Sequence, residues 1–351
     1  MTRALIVSDA WHPQINGVVR TLERLIEELA ELGVETVMLT PADFWTIPCP
    51  TYPEIRLAIT PFTRVRRKIE SARADFIHIA TEGPLGLMTR TWCRKRNEPF
   101  TTSYHTRFPE YVAARLPVPL SWSYAWIRRF HNAASGVMVA TPSLETELTG
   151  RGFKNLMRWS RGVDHKQFHP GHEPALDLPR PIFGYIGRVS VEKNIEAFLS
   201  LDLPGTKVVV GDGPVLAEMR RRYPDVVFTG AKVGDDLARH YASLDVFVFP
   251  SRTDTFGNVL VEALASGVPV AAFPVTGPLD VVGDAGVGVL DTDLRAAALA
   301  ALDIPRERCA AHALKFTWSE SAREFLENMR RAQGDPPRAA SYDVDIRAAA
   351  E

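Results

Sequence analysis

The sequence predicts an α/β protein of two doubly wound domains in tandem, facing each other across a cleft. Three observations predict it. Short apolar runs alternate with amphipathic segments over most of the chain, the pattern of parallel strands joined by crossover helices. The alternation is interrupted once, by the proline-rich stretch His165–Pro181, and then restarts, which marks a linker. The chain has 351 residues, enough for roughly two domains.

In the first half the strand-like runs are Ala4–Ser8, Glu35–Thr40, Asp75–Ala80, Phe100–Tyr104 and Gly136–Thr141, with helices expected at Val18–Leu32, Pro84–Arg96 and Trp122–Ala134. In the second half the runs are Ile182–Ile186, Lys207–Gly211, Val226–Thr229, Val246–Pro250 and Pro269–Phe273. A last helix, Ser319–Arg331, follows Trp318, and the Ala/Asp-rich end after Gly334 reads as a frayed tail. The expected division is residues 1–170 for the first domain, 171–315 for the second, and 316–351 for a C-terminal helix and tail.

Composition narrows the function classes. Hydrophobic content of 46% and charged content of 24% are those of an ordinary globular protein. A formal net charge of -1 argues against a general nucleic-acid binder. Cys49, Cys93 and Cys309 are far apart and follow no metal-ligand spacing, as expected of free thiols in a reducing compartment. No signal-peptide pattern opens the sequence, and no apolar run approaches the ~20 residues that span a bilayer. The expected location is cytoplasmic, peripheral to the inner face of the membrane.

The residues with chemical interest fall just past strand ends, where ligands bind on such sheets. Asp254-Thr-Phe-Gly-Asn-Val-Leu-Val-Glu262 joins a strand to a helix. It places a carboxylate and a glycine turn at a helix N-terminus, a natural anion site. Asn258, Glu262 and Ser266, four residues apart, form a polar stripe on an otherwise apolar helix with no packing reason in the sequence. Sugar, diphosphate and ribose would fit that layout. Gly184-Tyr-Ile-Gly187-Arg188 followed by Glu192-Lys193 brings two cations to one turn, able to neutralise a departing phosphate. Gly211-Asp-Gly213-Pro allows close backbone approach to a planar group, but lacks the three-glycine dinucleotide fingerprint. Gly17 either brings backbone N–H groups to a diphosphate or simply opens the first helix. His105 lies at the end of a first-domain strand, either as a structural histidine or as a donor to a sugar or phosphate in the cleft. Glu82 faces the acceptor or serves as a helix N-terminal charge.

Two further features concern metal and membrane. The Asp-x-Asp pairs, Asp291/Asp293 and Asp343/Asp345, fall in a late loop and the tail, so no metal is expected. The segment Phe108–His131 mixes Tyr111, Trp122, Tyr124 and Trp126 with Arg107, Arg115, Arg128 and Arg129, interrupted by Pro117 and Pro119. It suits a lipid headgroup interface or an ordinary inward-packing helix. Thr63-Arg-Val-Arg-Arg-Lys68 adds a basic run fit for anionic lipid.

With the Gly17 turn, His105, the Arg188 and Lys193 pair, Gly211-Asp-Gly213 and the acid-x7-acid stretch ending at Glu262, the chain resembles the retaining GT-B glycosyltransferases of glycosyltransferase family 4 over nearly its whole length. The resemblance implies two Rossmann-like domains, with the Trp318 helix crossing back onto the first. It implies a nucleotide-sugar donor and no cofactor. Arg188 and Lys193 would then hold the diphosphate, with Gly17, Gly187, Gly211 and Gly213 around the donor. Asp254 and the backbone of Phe256, Gly257 and Asn258 would hold the transferred sugar, Val259 would lie near the phosphates, and Glu262 would take the ribose. His105 would lie near the reacting sugar. One departure is Asp254, where the family usually has Glu; the shorter side chain alters which sugar hydroxyl it reaches.

Ser103-Tyr-His-Thr106 with the Trp-rich stretch, and Arg158-Trp-Ser-Arg-Gly-Val-Asp164, resemble lipid-glycosylating members most. Diacylglycerol glycosyltransferases come first, of sulfoquinovosyl, glucosyl or glucuronosyl type, and phosphatidylinositol mannosyltransferases next. On that reading Glu82, Tyr104, Trp122 and Trp126 serve a lipid acceptor, and the partners are a nucleotide-sugar, a lipid and an anionic membrane surface. A dinucleotide oxidoreductase would also fit two such domains but lacks the glycine fingerprint, and a non-catalytic nucleotide-sugar binder would not need every motif present.

Overall fold

Strands rich in Val, Ile and Phe that run without polar alternation are those buried on both faces of a parallel sheet, and both halves of the chain build one. The computed structural model describes residues 2–14, 16–49, 52–113 and 118–334, without the side chains of 52–54. Arg115, Pro117, the Asp343/Asp345 pair and the tail lie outside the described residues.

The first domain contains β1 (Thr2–Val7), β2 (Val34–Leu39), β3 (Trp45–Cys49), β4 (Tyr52–Ile59), β5 (Phe76–Ile79), β6 (Thr101–Ser103), β7 (Gly136–Val139) and β8 (Leu156–Arg158). Its helices are α1 (Gly17–Glu31), α2 (Phe62–Ala72), α3 (Pro84–Arg96), α4 (Phe108–Ala113), α5 (Leu120–His131) and α6 (Pro142–Gly150). Six strands form a parallel sheet in the order β2-β1-β5-β6-β7-β8. β3 and β4 stand apart as an antiparallel hairpin.

The second domain contains β9 (Ile182–Ile186), β10 (Thr206–Val210), β11 (Val227–Gly230), β12 (Val246–Phe249), β13 (Val270–Ala272) and β14 (Gly288–Leu290). Its parallel sheet runs β11-β10-β9-β12-β13-β14, with the strand order reversing between β9 and β12. Helices α7 (Glu196–Leu199), α8 (Leu216–Arg222), α9 (Gly234–Ala242), α10 (Asn258–Ala265), α11 (Pro278–Val281), α12 (Leu294–Ala300) and α13 (Arg306–Ala313) cover it. Two separate apolar clusters fill its two faces.

The last helix, α14 (Trp318–Ala332), leaves the second domain and packs on α1, β5 and β7 of the first. Its Phe325 lies 4.8 Å from the Trp159 ring in the first-domain core. The crossing needs a glycine: a Cβ on Gly162 would lie 2.3 Å from the Trp318 backbone nitrogen. The two-sheet architecture with a returning helix therefore agrees with the expectation.

Several elements were not legible. The edge strands β8 and β14 have three residues each, too few to show a period. In β3 and β4, Pro48 and Pro53 mask the strand pattern; edge hairpins tolerate proline because one side of each strand makes no ladder bonds. The helix expected at Trp122 starts at Leu120, directly after Pro119. Its aromatic segment divides: Tyr124, Ile127 and Phe130 are buried, while Trp122 is 71% and Trp126 43% exposed.

Candidate active site

The second sheet reverses order between β9 and β12, and ligands on such sheets bind past the strand ends at that point. The turn after β9 carries Gly187, Arg188 and Lys193; the turn after β12 carries Asp254. Asn194 adopts a left-handed conformation, and its side-chain amide donates to Pro250 O at 3.0 Å, tying the two turns together. Lys193 Nζ donates to Asp254 Oδ1 at 2.5 Å. Burial disfavours the ammonium, but Asp254, with smaller contributions from Tyr111 and Tyr185, outweighs it and holds the Lys193 pKa well above its ordinary value. The second Asp254 oxygen is buried with no hydrogen-bond partner among the described residues.

Next to this pair, α10 starts from Gly257 at φ 85°, a left-handed position that a side chain would strain. No side chain caps this helix N-terminus. Phe256 turns its ring into the core beside Phe316, leaving its backbone at the turn. Val259 is partly buried against the same core.

Glu262 is buried one turn further along α10 and accepts from Tyr241 Oη at 2.9 Å. Burial raises its pKa, against the opposing effects of Arg20 and Tyr241. This corrects the expectation that the stripe lacks a packing reason: Tyr241 is one. Ser266, the third member, is fully buried at the end of the helix rather than at the cleft. The stripe's other two residues face the first domain. Asn258 Nδ2 donates to Thr21 Oγ1 at 3.4 Å, and Arg20 Nη1 lies 3.9 Å from Glu262 Oε1.

The glycines divide by cause. Gly17 sits across the cleft, where an added Cβ would lie 3.8 Å from Asn258 Nδ2. Asn16 already accepts from Val18 N and Val19 N, so those two amides of α1 are satisfied from within the chain. Gly211 and Gly213 have a structural reason not foreseen. A Cβ on Gly211 would lie 1.9 Å from Gly187 O, and one on Gly213 2.2 Å from Val189 O. They permit close packing of the β9 and β10 loops on one another.

From the first domain, His105 reaches the junction. Its backbone oxygen accepts from Thr255 Oγ1 at 2.7 Å, beside Asp254. Its Nε2 is buried and has no partner among the described residues. Burial, then Arg161, pushes its pKa well down.

Tyr111, read from sequence as part of an interface segment, instead enters this cleft. It bonds Thr253 and lies within electrostatic reach of Lys193 and Asp254; burial, the largest effect, raises its phenol pKa. A network of Arg107 on Glu147 at 2.6 Å and Tyr124 Oη on Glu110 at 2.5 Å anchors α4 and so aims Tyr111. Only the helix register of α4 and its packing place this ring, which is why sequence reasoning missed it.

The acceptor-side residues are scattered. Tyr104 is fully buried among Tyr124, Leu144, Leu148 and Phe153, which corrects its expected exposure to an acceptor. Glu82 is half-buried and pairs with the buried His131, Oε1 to Nε2 at 3.0 Å. Trp122 and Trp126 face outward on α5, Trp126 against Phe108 and Phe130. Asp291 and Asp293 are used in a helix cap: Asp293 accepts from Arg295 N and Ala296 N, and Asp291 from Asp293 N.

One buried carboxylate was overlooked. Asp9 ends β1 at the first sheet's own switch point and accepts from Leu85 N and Gly86 N at the N-terminus of α3. Burial pushes its pKa up to about 6 against those bonds.

Comparison with known proteins shows the family. Residues 15–167 match the model "Glycosyltransferase Family 4", and residues 180–304 match "Glycosyl transferases group 1". A GDP-mannose-dependent alpha-mannosyltransferase of Mycobacterium tuberculosis is 30% identical over 82% of this chain and 83% of that protein.

The chain belongs to glycosyltransferase family 4.

Among other members of the family, the sulfoquinovosyl transferase SQD2 of Arabidopsis thaliana is 30% identical, covering 80% of this chain and 61% of that protein. An alpha-monoglucosyldiacylglycerol synthase of Streptococcus pneumoniae is 26% identical over 76% of this chain and 70% of that protein. Of solved structures, sucrose-phosphate synthase from Thermosynechococcus elongatus superposes with TM-score 0.75 at 21% identity, over 95% of this chain and all of that one. Anabaena HepE in complex with UDP and glucose gives 0.70 at 16%, over 94% of this chain and all of that one. These likenesses show the GT-B fold, and this family 4 glycosyltransferase is an enzyme.

Proposed function

We propose that this glycosyltransferase moves a hexose or hexuronic acid from a UDP-sugar to the free hydroxyl of diacylglycerol, with retention of configuration and without a metal or cofactor. The observation that carries the donor half is the buried Lys193–Asp254 pair with one unsatisfied carboxylate oxygen. A donor would split the pair: Lys193 turns with Arg188 to the diphosphate, and Asp254 accepts from a sugar hydroxyl. Glu262 takes the ribose, and His105 lies beside the sugar. The acceptor hydroxyl attacks the anomeric carbon on the face the nucleotide leaves. The bond from that carbon to the phosphate oxygen breaks, a phosphate oxygen of the departing nucleotide takes the acceptor proton, and UDP leaves. Positive charge from Arg188 and Lys193 stabilises that departure.

Support for a lipid acceptor comes from the first-domain surface. On the β3–β4 hairpin, Trp45 is 84%, Ile59 55% and Ile47 46% exposed. Trp45 pairs across the hairpin with Ile59, and Ile47 with Leu57, so all four side chains share one face. Ile59 leads directly into α2, whose Arg64, Arg66, Arg67 and Lys68 are exposed. An apolar face beside a basic helix suits an anionic bilayer. No helix among the described residues is long and apolar enough to cross a membrane. Binding to anionic liposomes should therefore weaken with added salt and weaken further in Trp45→Ala.

A second reading has GDP-mannose as donor, supported by the mannosyltransferase relatives, and phosphatidylinositol or a saccharide as acceptor, the lipid supported by a relative named as a phosphatidylinositol dimannoside mannosyltransferase. One experiment decides between them. Purified protein, dialysed against chelator, is incubated with diacylglycerol or phosphatidylinositol liposomes and, in turn, UDP-glucose, UDP-galactose, UDP-glucuronic acid and GDP-mannose, and the lipids are read by mass spectrometry. Glycosylated diacylglycerol from a UDP-sugar is expected. Product only from GDP-mannose replaces the donor, product only on phosphatidylinositol replaces the acceptor, and activity only after metal is restored refutes metal independence.

A further inference from the structure

The His105 ring is held by Arg161, which lies in the Arg158–Asp164 stretch and was given no role at the site from sequence. Its Nδ1 lies 3.3 Å from Nη2 of Arg161. A guanidinium offers N–H donors and no acceptor. Nδ1 must therefore present its lone pair, and in a neutral imidazole the single proton sits on Nε2. That nitrogen is the buried one with no partner among the described residues, in a ring whose residue is tied to Thr255 beside Asp254.

We propose that Arg161 is a positioning residue that fixes His105 as a neutral Nε2–H donor toward the sugar or leaving phosphate; this rests on the sugar-transfer reading above. The ligand atom opposite Nε2 is then an acceptor oxygen, and Nε2 is excluded as a proton-accepting base in the resting enzyme.

Arg161 is itself rigidly placed. Its Nη1 donates to Trp159 O at 2.7 Å and Ser160 O at 2.9 Å, and its guanidinium lies 4.0 Å from the centre of the Trp159 ring. The returning helix α14 holds that strap. Glu324 accepts from Ser160 N at 2.7 Å and Ser160 Oγ at 2.6 Å, and Ser321 Oγ donates to Ser160 O at 2.9 Å. Burial lowers the Arg161 pKa to about 9 against the pull of Glu324, so it stays cationic at pH 7. The groups facing His105 are Arg161, His78 and His131; burial and then Arg161 disfavour an imidazolium there. A neutral donor in a site that must accept a negatively charged nucleotide adds directionality without a further charge.

The test is the nitrogen-proton spectrum of ligand-free protein carrying labelled histidine. His105 should show a bare Nδ1 and a protonated Nε2 from pH 6 to 8. A protonated Nδ1, or an imidazolium at pH 7, overturns the proposal. Arg161→Lys keeps a donor-only cation and should retain the tautomer and most of the activity. In Arg161→Met the tautomers should mix, an acid titration should appear, and kcat should fall on the order of 10²-fold, with KM for the nucleotide-sugar changing less. An unchanged spectrum and pH profile in Arg161→Met refutes it. If that variant does not fold, the wild-type spectrum and the lysine variant still decide. The spectrum needs no substrate, so a wrong donor assignment leaves the tautomer result standing.

Discussion

The two domains share an architecture, a six-stranded parallel sheet whose strand order reverses once, and use their switch points in opposite ways. In the first, the N-terminus of α3 is filled from inside the chain: Asp9 accepts from Leu85 N and Gly86 N, and Thr81 bonds Asp9 in turn. A Cβ on Gly83 would lie 2.4 Å from Asp9 Cγ, so the seal is tight. In the second, α10 opens from Gly257 with no side-chain cap, and its flanking carboxylate is turned to Lys193. A helix N-terminus attracts an anion in either case. The first sheet supplies that anion from its own chain, and the second has no side chain that does so. A switch point alone thus does not mark a site; the uncapped helix N-terminus makes the second the candidate.

The comparison can be broken by four measurements. The largest effect is expected for Lys193→Ala, where turnover should fall on the order of 10³-fold while circular dichroism shows a folded protein. Near-normal activity would remove the second switch point as the donor site. Asp9→Ala should instead cost about 2 kcal/mol of stability in urea unfolding and leave UDP affinity unchanged. Loss of UDP binding beyond the loss of stability would mean that the first switch point is a ligand site too. Glu262→Gln, which keeps its Tyr241 partner but loses charge, should weaken UDP binding about tenfold by calorimetry. An unaltered affinity would take the ribose away from Glu262.

The smallest effect is on pH dependence. Buried His78 has its pKa pushed down to about 3, by burial and then by Arg161 and His131. The unfolded chain therefore takes up this proton first, and stability present above about pH 6.5 is lost below it, by about 2 kcal/mol at pH 5. Asp9 acts in reverse: its raised pKa lets the folded state bind a proton first below about pH 6, returning about 1 kcal/mol at pH 5. These two groups together lose about 1 kcal/mol between pH 7 and 5; His105 adds to that loss, and Glu262, whose pKa burial raises, opposes it. Unfolding curves at both values check it, and a rise in stability on acidification would contradict the burial of these histidines.

Much of the second domain was legible because its strands are apolar runs ending in glycine turns. Ile182–Ile186 leads into Gly187 and Val246–Phe249 into the Asp254 turn, so spacing along the chain already places both charges at strand ends. The first-domain side of the site was less legible. Tyr111 reaches Lys193 only through the packing of a short helix, and Arg20 meets Glu262 only because the domains face each other. Tyr104 follows a strand as His105 does, yet one side chain points into the core and the other to the junction. Successive side chains along extended backbone alternate in direction, so the motif identifies the pair but not which member is exposed.

What the sequence by itself determined is local and periodic: two alternating α/β halves, the turns that end their strands, and the charged residues on those turns. These follow from short-range hydrophobic patterning and from turn chemistry, which neighbouring residues settle among themselves. Only the tertiary structure decided which glycines serve packing, which helix N-terminus is open, and that Arg161 meets His105 across 56 positions of chain. Those are contacts between segments distant in sequence, set by how the sheets, the α14 crossing and the cleft come together, and no local pattern encodes them.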